Sequence, residues 1–255
     1  MKMSVSMLAG ITLAMAYASS SLADDNNSIY AAAVANKTRL EGDYARDAGR
    51  KPEEILAFFN IQQGDTVLDM FSGGGYYTEL LSHVVGPDGK VVAQTNKAYL
   101  GFVGDEFKDR HAEGRLANVD VLMAENNELR LAADRFDAIT LVLAYHDVYH
   151  EDLENGWNRI DVDKILAEFY KALKPGGIVG VVDHSAAPGT LVSQVDALHR
   201  IDKQRVIDDF TGAGFVLDDE SDVLHNASDD LEKIVFDPSV RGKTDRFALR
   251  FRKPE

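Results

Sequence analysis

The stretch Val67-Leu-Asp-Met-Phe-Ser-Gly-Gly-Gly-Tyr-Tyr-Thr-Glu-Leu-Leu81 passes from an apolar run, through three consecutive glycines, into an amphipathic segment. Glycine loses more backbone freedom on folding than any other residue. Such a cluster therefore marks a turn that needs left-handed geometry, or a place where something must approach the bare main chain. A plain strand-to-helix turn is the simpler reading, and the neighbouring residues have to decide. Between a first strand and its helix, a glycine turn cradles a ligand because the helix amides point towards it.

The rest of the chain supplies the context of such a turn. Short β-branched runs at about 66–71, 90–95, 119–124, 136–144 and 178–183 alternate with stretches of helical spacing, which is the pattern of a parallel sheet covered on both faces. From Asp161 to Leu173 the apolar residues Val162, Ile165, Leu166, Phe169, Tyr170 and Leu173 share one helical face, Asp161 caps the start, and Pro175-Gly176-Gly177 stops it. Lys51-Pro52-Glu53-Glu54 places proline at a first helical position with acids in the first turn. Near the C-terminus, Phe215-Val-Leu and Phe247-Ala-Leu-Arg-Phe-Arg252 read as a long-looped hairpin at the sheet edge, with a short helix at 229–235 between them. The apolar and basic residues alternate in the last strand, which implies one wet face. The fold class is thus α/β, a doubly wound and mostly parallel seven-stranded sheet with an antiparallel last strand.

Residues 1–23 read as a cleavable export signal: Lys2, an apolar run from Met7 to Ala18, and a small-x-small site at Ser21-Leu22-Ala23. The apolar run is shorter than the ~20 residues a bilayer span needs. The expectation is a periplasmic or secreted protein cleaved after Ala23, with residues 24–255 forming one domain and no membrane association after cleavage. Lysine and arginine number 27 against 42 aspartates and glutamates. Such an acidic surface repels phosphate backbones and argues against nucleic acid as a partner. The absence of cysteine excludes disulfides, thiolate metal sites and cysteine nucleophiles.

A dinucleotide fingerprint would need a glycine at position 78, where the chain has Thr78. Asp69 followed by Phe71-Ser72-Gly73-Gly74-Gly75 and Thr78 instead resembles the first motif of class I S-adenosylmethionine-dependent methyltransferases, in a variant with phenylalanine for the first glycine. Leu173-Lys-Pro-Gly-Gly177 is similar to that family's turn before the fifth strand, and Phe136-Asp-Ala-Ile-Thr-Leu-Val-Leu143 to its fourth strand. The leader, Tyr145-His-Asp147, Leu198-His-Arg-Ile-Asp202 and Arg241-Gly-Lys-Thr-Asp-Arg246 look like an exported bacterial group of predicted methyltransferases.

The resemblance implies S-adenosylmethionine as cofactor and a small molecule as methyl acceptor. It places Phe71, Ser72, Gly73 and Gly75 around the donor, its methionine portion over Gly73 and Gly75, with Asp69 accepting from its ammonium. It places Glu125 and Asn126 near adenine, and Tyr145 beside the donor. The second strand ends in neutral Gln94, Thr95 and Asn96, where the family usually has an acid for the ribose hydroxyls. Neutral acceptors form weaker bonds than carboxylates.

In open α/β sheets ligands bind beyond the carboxyl ends of the strands. There the chain carries Tyr145-His146-Asp147-Val148-Tyr149-His150 after strand four and Asp183-His184-Ser185 after strand five. Methyl transfer from a sulfonium needs alignment and, for a hydroxyl acceptor, a proton acceptor. This reading makes His146 the leading base and His184 the second, with Asp147 or Asp183 orienting it. The same groups suit a divalent metal, with His146, His150 and Asp183 as candidate ligands. Arg241 is a candidate for pairing with a site acid or an anionic substrate, Lys243 being the other cation of that connection, whereas His199, Arg200 and Asp202 read as a helix cap with a salt bridge. Two other functions fit the residues: a non-catalytic binding protein for a nucleoside or other small ligand, and a metal-assisted hydrolase using His146, His150, Asp147 and Asp183.

Overall fold

The structure is a computed structural model that describes residues 29–112 and 114–255. The expected export signal lies outside the described residues. Among those described, no helix is long and apolar enough to cross a membrane.

Seven strands form one sheet in the order β3-β2-β1-β4-β5-β7-β6. β1 (Thr66–Met70), β2 (Lys90–Thr95), β3 (Val119–Met123), β4 (Phe136–Val142) and β5 (Leu173–His184) run parallel. β7 (Arg246–Arg252) lies antiparallel between β5 and β6 (Val216–Ser221). Strands buried on both faces are nearly all apolar, and the buried positions of β1 and β4 follow that rule except at Asp69 and Thr140, which are neighbours across the β1–β4 ladder. The order reverses between β1 and β4, so the crevice for a ligand opens at their carboxyl ends.

Helices cover both faces. α1 (Glu41–Arg50), α2 (Pro52–Phe59) and α3 (Tyr76–Val85) lie before and after β1. Ile55, Leu56 and Phe59 of α2 pack with Leu80, Leu81 and Val84 of α3 against one face. α4 (Lys97–Val103) and α5 (Asp105–Arg110) follow β2. On the opposite face Ile165, Leu166 and Phe169 of α6 (Val162–Ala172) pack with Val206 and Phe210 of α8 (Lys203–Gly212). α7 (Val195–Leu198) is a single turn before α8. Pro52 opens α2 and the Asp161 carboxylate accepts from Lys164 N–H at the start of α6, as the sequence implies.

Three details differ from the sequence reading. β4 stops at Val142 because Leu143 turns into the left-handed region at φ 58°. Residues 229–235 form turns rather than a helix: the Asp229 carboxylate binds Arg200 and accepts from Asp245 N–H, which holds the segment in an irregular path. β7 is an interior strand, and the edge falls to the acid-rich β6. The basic face of β7 is only partly wet, since Arg250 and Arg252 both bind Asp218.

Candidate functional site

Asp69 ends β1 only 3% exposed and accepts from Thr78 Oγ1 at 2.6 Å and Thr140 Oγ1 at 3.0 Å. Burial pushes its carboxyl up to about 6, against the opposing pull of the two hydroxyls. Phe71 then turns left-handed at φ 52° and stacks on Tyr99, its ring centroid 5.4 Å away. The turn is braced from β2, because Gln94 Oε1 accepts from Phe71 N–H at 3.0 Å while its amide donates to Ala124 O and Asn126 Oδ1. Gln94 is therefore a fully buried strut between three strand ends and offers nothing to a ribose.

The bare glycine backbone has occupants from within the protein. A Cβ on Gly74 would sit 2.4 Å from the Glu106 carboxyl carbon, and one on Gly75, at φ +78°, would sit 2.8 Å from Arg110 Cγ. Arg110 Nε donates to Gly74 O at 2.9 Å, and Gly75 N–H donates to Ser72 O. Arg110 is fully buried and ion-paired with Asp43, Glu79 and Glu106. Its carboxylate partners are spread over α1, α3 and α5, so composition alone carried no sign of this knot. The hydroxyls of Ser72 and Thr95 are buried without a hydrogen-bond partner among the described residues.

A cavity of about 170 Å³ opens beside this turn. Its lining includes Phe71, Asn96, Glu125 and Asn126 together with Asp147, His150, Trp157 and Ile160. Asn96 also caps α4, accepting from Tyr99 N–H at 3.0 Å. Four residues expected at the donor thus converge on one cavity, whereas Asp69, Ser72, Gly73, Gly75, Thr95 and Tyr145 are not part of its lining. Tyr145 is fully buried, packs against Phe210, and donates its hydroxyl proton to Asp209 at 2.8 Å. A larger cavity of about 330 Å³ lies at the opposite rim, among Asp65, Asp137, Lys174 and Arg250, away from every strand end that carries histidine.

At the acceptor end the polar residues form one connected cluster. His146 Nδ1 lies 2.7 Å from Asp183 Oδ1, and Asp183 also accepts from the backbone N–H groups of His146 and His184. His146 Nε2 faces Asp147 Oδ1 at 3.3 Å, and Tyr99 donates its hydroxyl proton to Asp147 Oδ2. Burial pulls the His146 imidazole down, but the carboxylates of Asp147 and Asp183 outweigh it and raise the group to about 9. His184 shifts the other way: burial, then the charges of His146 and Arg246, hold it well below the usual imidazole range, and its Nδ1 lies 2.7 Å from Thr244 Oγ1. His146 keeps its proton near neutral pH and His184 resists taking one, so neither imidazole matches the poised base expected from the sequence.

Other assignments shift as well. Asp183 is completely buried behind His146 and does not face the cavity, and His150 is held by Asp196 at 2.7 Å. The trio His146, Asp183 and His150 is therefore not brought together as a metal site. His199 joins the cluster instead, its Nδ1 3.8 Å from Asp147 Oδ1, while Asp202 caps α8 and Arg200 pairs with Asp229 as expected of that segment. Arg241 and Lys243 are exposed, with no ion pair found among the described residues. The buried cation of that connection is Arg246, which donates to Thr244 Oγ1 and Gly49 O.

A family model described as the ubiE/COQ5 methyltransferase family matches residues 50–200. The chain is 32% identical over 136 residues to the ubiquinone/menaquinone biosynthesis C-methyltransferase UbiE of Marinomonas sp. (strain MWYL1), covering 53% of this chain and 49% of that protein. The UbiE protein of Idiomarina loihiensis matches with the same identity and coverage. The chain spans about half the length of the curated relatives it matches. Among solved structures, a SAM-dependent methyltransferase from Aquifex aeolicus is similar with a TM-score of 0.56 and 22% identity, over 79% of this chain and 88% of that one. The [4+2]-cyclase SpnF also reaches 0.56, at 19% identity over 81% of each chain. These two likenesses speak to the fold.

Proposed function

The chain belongs to the ubiE/COQ5 methyltransferase family, within the class I S-adenosylmethionine-dependent superfamily, and from that premise we propose that it transfers a methyl group from S-adenosylmethionine to a small-molecule acceptor. The observation that carries the proposal is the cavity at the carboxyl ends of β1 to β4, lined by Phe71, Asn96, Glu125 and Asn126 together with Asp147 and His150. The unpartnered hydroxyls of Ser72 and Thr95 fit a polar ligand beside that turn. In this reading the nucleoside lies against Phe71, with Asn96 and Asn126 serving the ribose and Glu125 the base. Asp69 meets the ammonium of the methionine portion, since a carboxylate offers about four lone-pair sites and its two threonine partners leave room for another donor. At about 170 Å³ the cavity is smaller than the roughly 300–1,000 Å³ usual for small-ligand sites. The methionine portion therefore requires Glu106 and the α4–α5 segment to swing away from Gly74.

The donor supplies an electrophilic methyl group, which the protein has to align with the acceptor. His146 lies against Asp147, which lines the cavity, and, charged near neutral pH, it offsets the Asp147 carboxylate there and does not strip a proton from the acceptor. The acceptor class that suits this end is a phenolate or enolate, with Asp147 fixing the imidazolium and Trp157 walling the cavity. Calorimetric titration with S-adenosylmethionine and S-adenosylhomocysteine tests the donor half, and single-site binding of both is expected. No binding of either would overturn the proposal, and binding without methylation of any phenolic or enolic acceptor would favour a non-catalytic binding protein.

A further inference from the structure

His146 uses its two ring nitrogens very differently. Nδ1 makes a 2.7 Å contact with Asp183 that is typical of a charge-assisted hydrogen bond, whereas Nε2 stops 3.3 Å from Asp147 Oδ1, beyond the roughly 2.7–2.9 Å such bonds adopt. His199 Nδ1 approaches the same oxygen from another element and stops at 3.8 Å. These three donor atoms lie within 4.8 Å of one another without hydrogen-bonding among themselves. Metal–ligand bonds of about 2.0–2.2 Å at a tetrahedral angle hold neighbouring donor atoms about 3.3–3.6 Å apart; the His146–Asp147 pair has that spacing at 3.3 Å, and His199 at 3.8 Å has to close in by a few tenths of an ångström.

The surroundings are those of ligands held in place by partners behind them. Asp183 sits on the far nitrogen of His146, fixing the ring so that Nε2 faces Asp147, and Tyr99 holds the second oxygen of Asp147. His150 is oriented by Asp196 in the same way, and its ring lies 5.2 Å from that of His199. Asp147 and His150 line the cavity, so positions on the ion not taken by protein would open onto it.

We propose that His146 Nε2, Asp147 Oδ1 and His199 Nδ1 bind one divalent first-row transition metal, with zinc favoured over magnesium. Two imidazoles and one carboxylate suit borderline cations, while magnesium prefers an all-oxygen shell. This deepens the reading above, because a cation at that end would hold a phenolate or enolate oxygen of the acceptor.

The test uses the full chain freed of metal with chelator, with no methyl donor present, so that its outcome is separate from donor binding. Zinc sulfate is titrated calorimetrically, bound metal is counted by mass spectrometry, and cobalt(II) is added to read the visible spectrum. One equivalent of zinc is expected, with no comparable magnesium binding and with cobalt bands of low coordination number. His199→Ala and Asp147→Asn should each weaken zinc at least a hundredfold, Asp183→Asn about ten- to a hundredfold, and the exposed His225→Ala not at all. Fewer than one zinc in five chains, or a His199→Ala chain binding as tightly as the wild type, would overturn the site. The wild-type cobalt spectrum stands even where a variant fails to fold, and a spectrum of fully hydrated cobalt would also overturn it.

Discussion

Replacing Asp69 with asparagine should stabilise the empty protein and weaken its hold on the donor. The carboxyl titrates near 6 in the native state because burial disfavours its charge. In the unfolded chain it titrates near 3.9. Below about pH 4 it is neutral in both states and costs nothing. Between pH 4 and 6 the unfolded chain releases the proton while the native state retains it, so native stability falls as pH rises, and above 6 the full difference is present. Two pH units at about 1.4 kcal/mol each give about 3 kcal/mol of destabilisation at pH 8, or roughly 6–12 °C in Tm for a domain of this size. Asp69→Asn removes that penalty, so its Tm should exceed the wild type's at pH 8 and converge with it at pH 4. The ammonium of S-adenosylhomocysteine then loses a charged acceptor worth about 1.5–3 kcal/mol, a ten- to hundredfold loss of affinity. Wild-type affinity should also fall about tenfold per pH unit below 6, while the variant's stays flat. An Asp69→Asn chain that melts lower than the wild type at pH 8 and binds S-adenosylhomocysteine unchanged would make Asp69 a structural brace for Thr78 and Thr140, and would refute the reasoning.

Other substitutions separate scaffold from site. Thr95→Val should leave Tm unchanged or slightly higher, because its hydroxyl has no partner to lose, yet lower affinity for S-adenosylhomocysteine in calorimetry. Gln94→Ala, which strands Phe71 N–H and Ala124 O, should cost about 2–4 kcal/mol in chemical denaturation. Arg110→Met leaves the buried Asp43 and Glu79 with only the partly exposed Arg46 and Arg115 as partners and should cost about 3 kcal/mol near neutral pH. Burial raises the Glu79 carboxyl, but its bonds to His83 and Arg110 and the charge of Arg115 prevail and hold it near 2. The wild-type contribution is therefore present above about pH 4.5 and lost as pH falls towards 2, whereas in Arg110→Met, which keeps only His83 and Arg115 at Glu79, it should be reduced throughout a pH series of denaturation midpoints.

The fold was legible because its signals are local. Pro52, Asp161 and the Pro175-Gly176-Gly177 stop act within a turn or two of chain, and the apolar runs of β1 and β4 reflect burial on both faces. The strand ends that the sequence singled out bring Phe71, Asn96, Glu125 and Asn126 to the cavity wall, whereas Asp183, also at a strand end, is buried behind His146. Side-chain direction was not legible. The sequence places Tyr145 beside His146, but only packing against Phe210 sends it into the core. His199 and Arg110 come to the rim from elements distant in sequence, and Gln94 looks like a substitute for an acid until its three bonds across strand ends are seen. The glycines gave a correct signal of close approach, with Glu106 and Arg110 as the approaching groups in the empty protein.

The most direct test of the account is a crystal structure of the complex with S-adenosylhomocysteine. The account predicts the nucleoside against Phe71 between Asn96 and Asn126, the ammonium within hydrogen-bond reach of Asp69, Glu106 withdrawn from Gly74, and the sulfur turned towards Asp147. Density in the cavity at the opposite rim, or none beside Phe71 at saturating ligand, would contradict it.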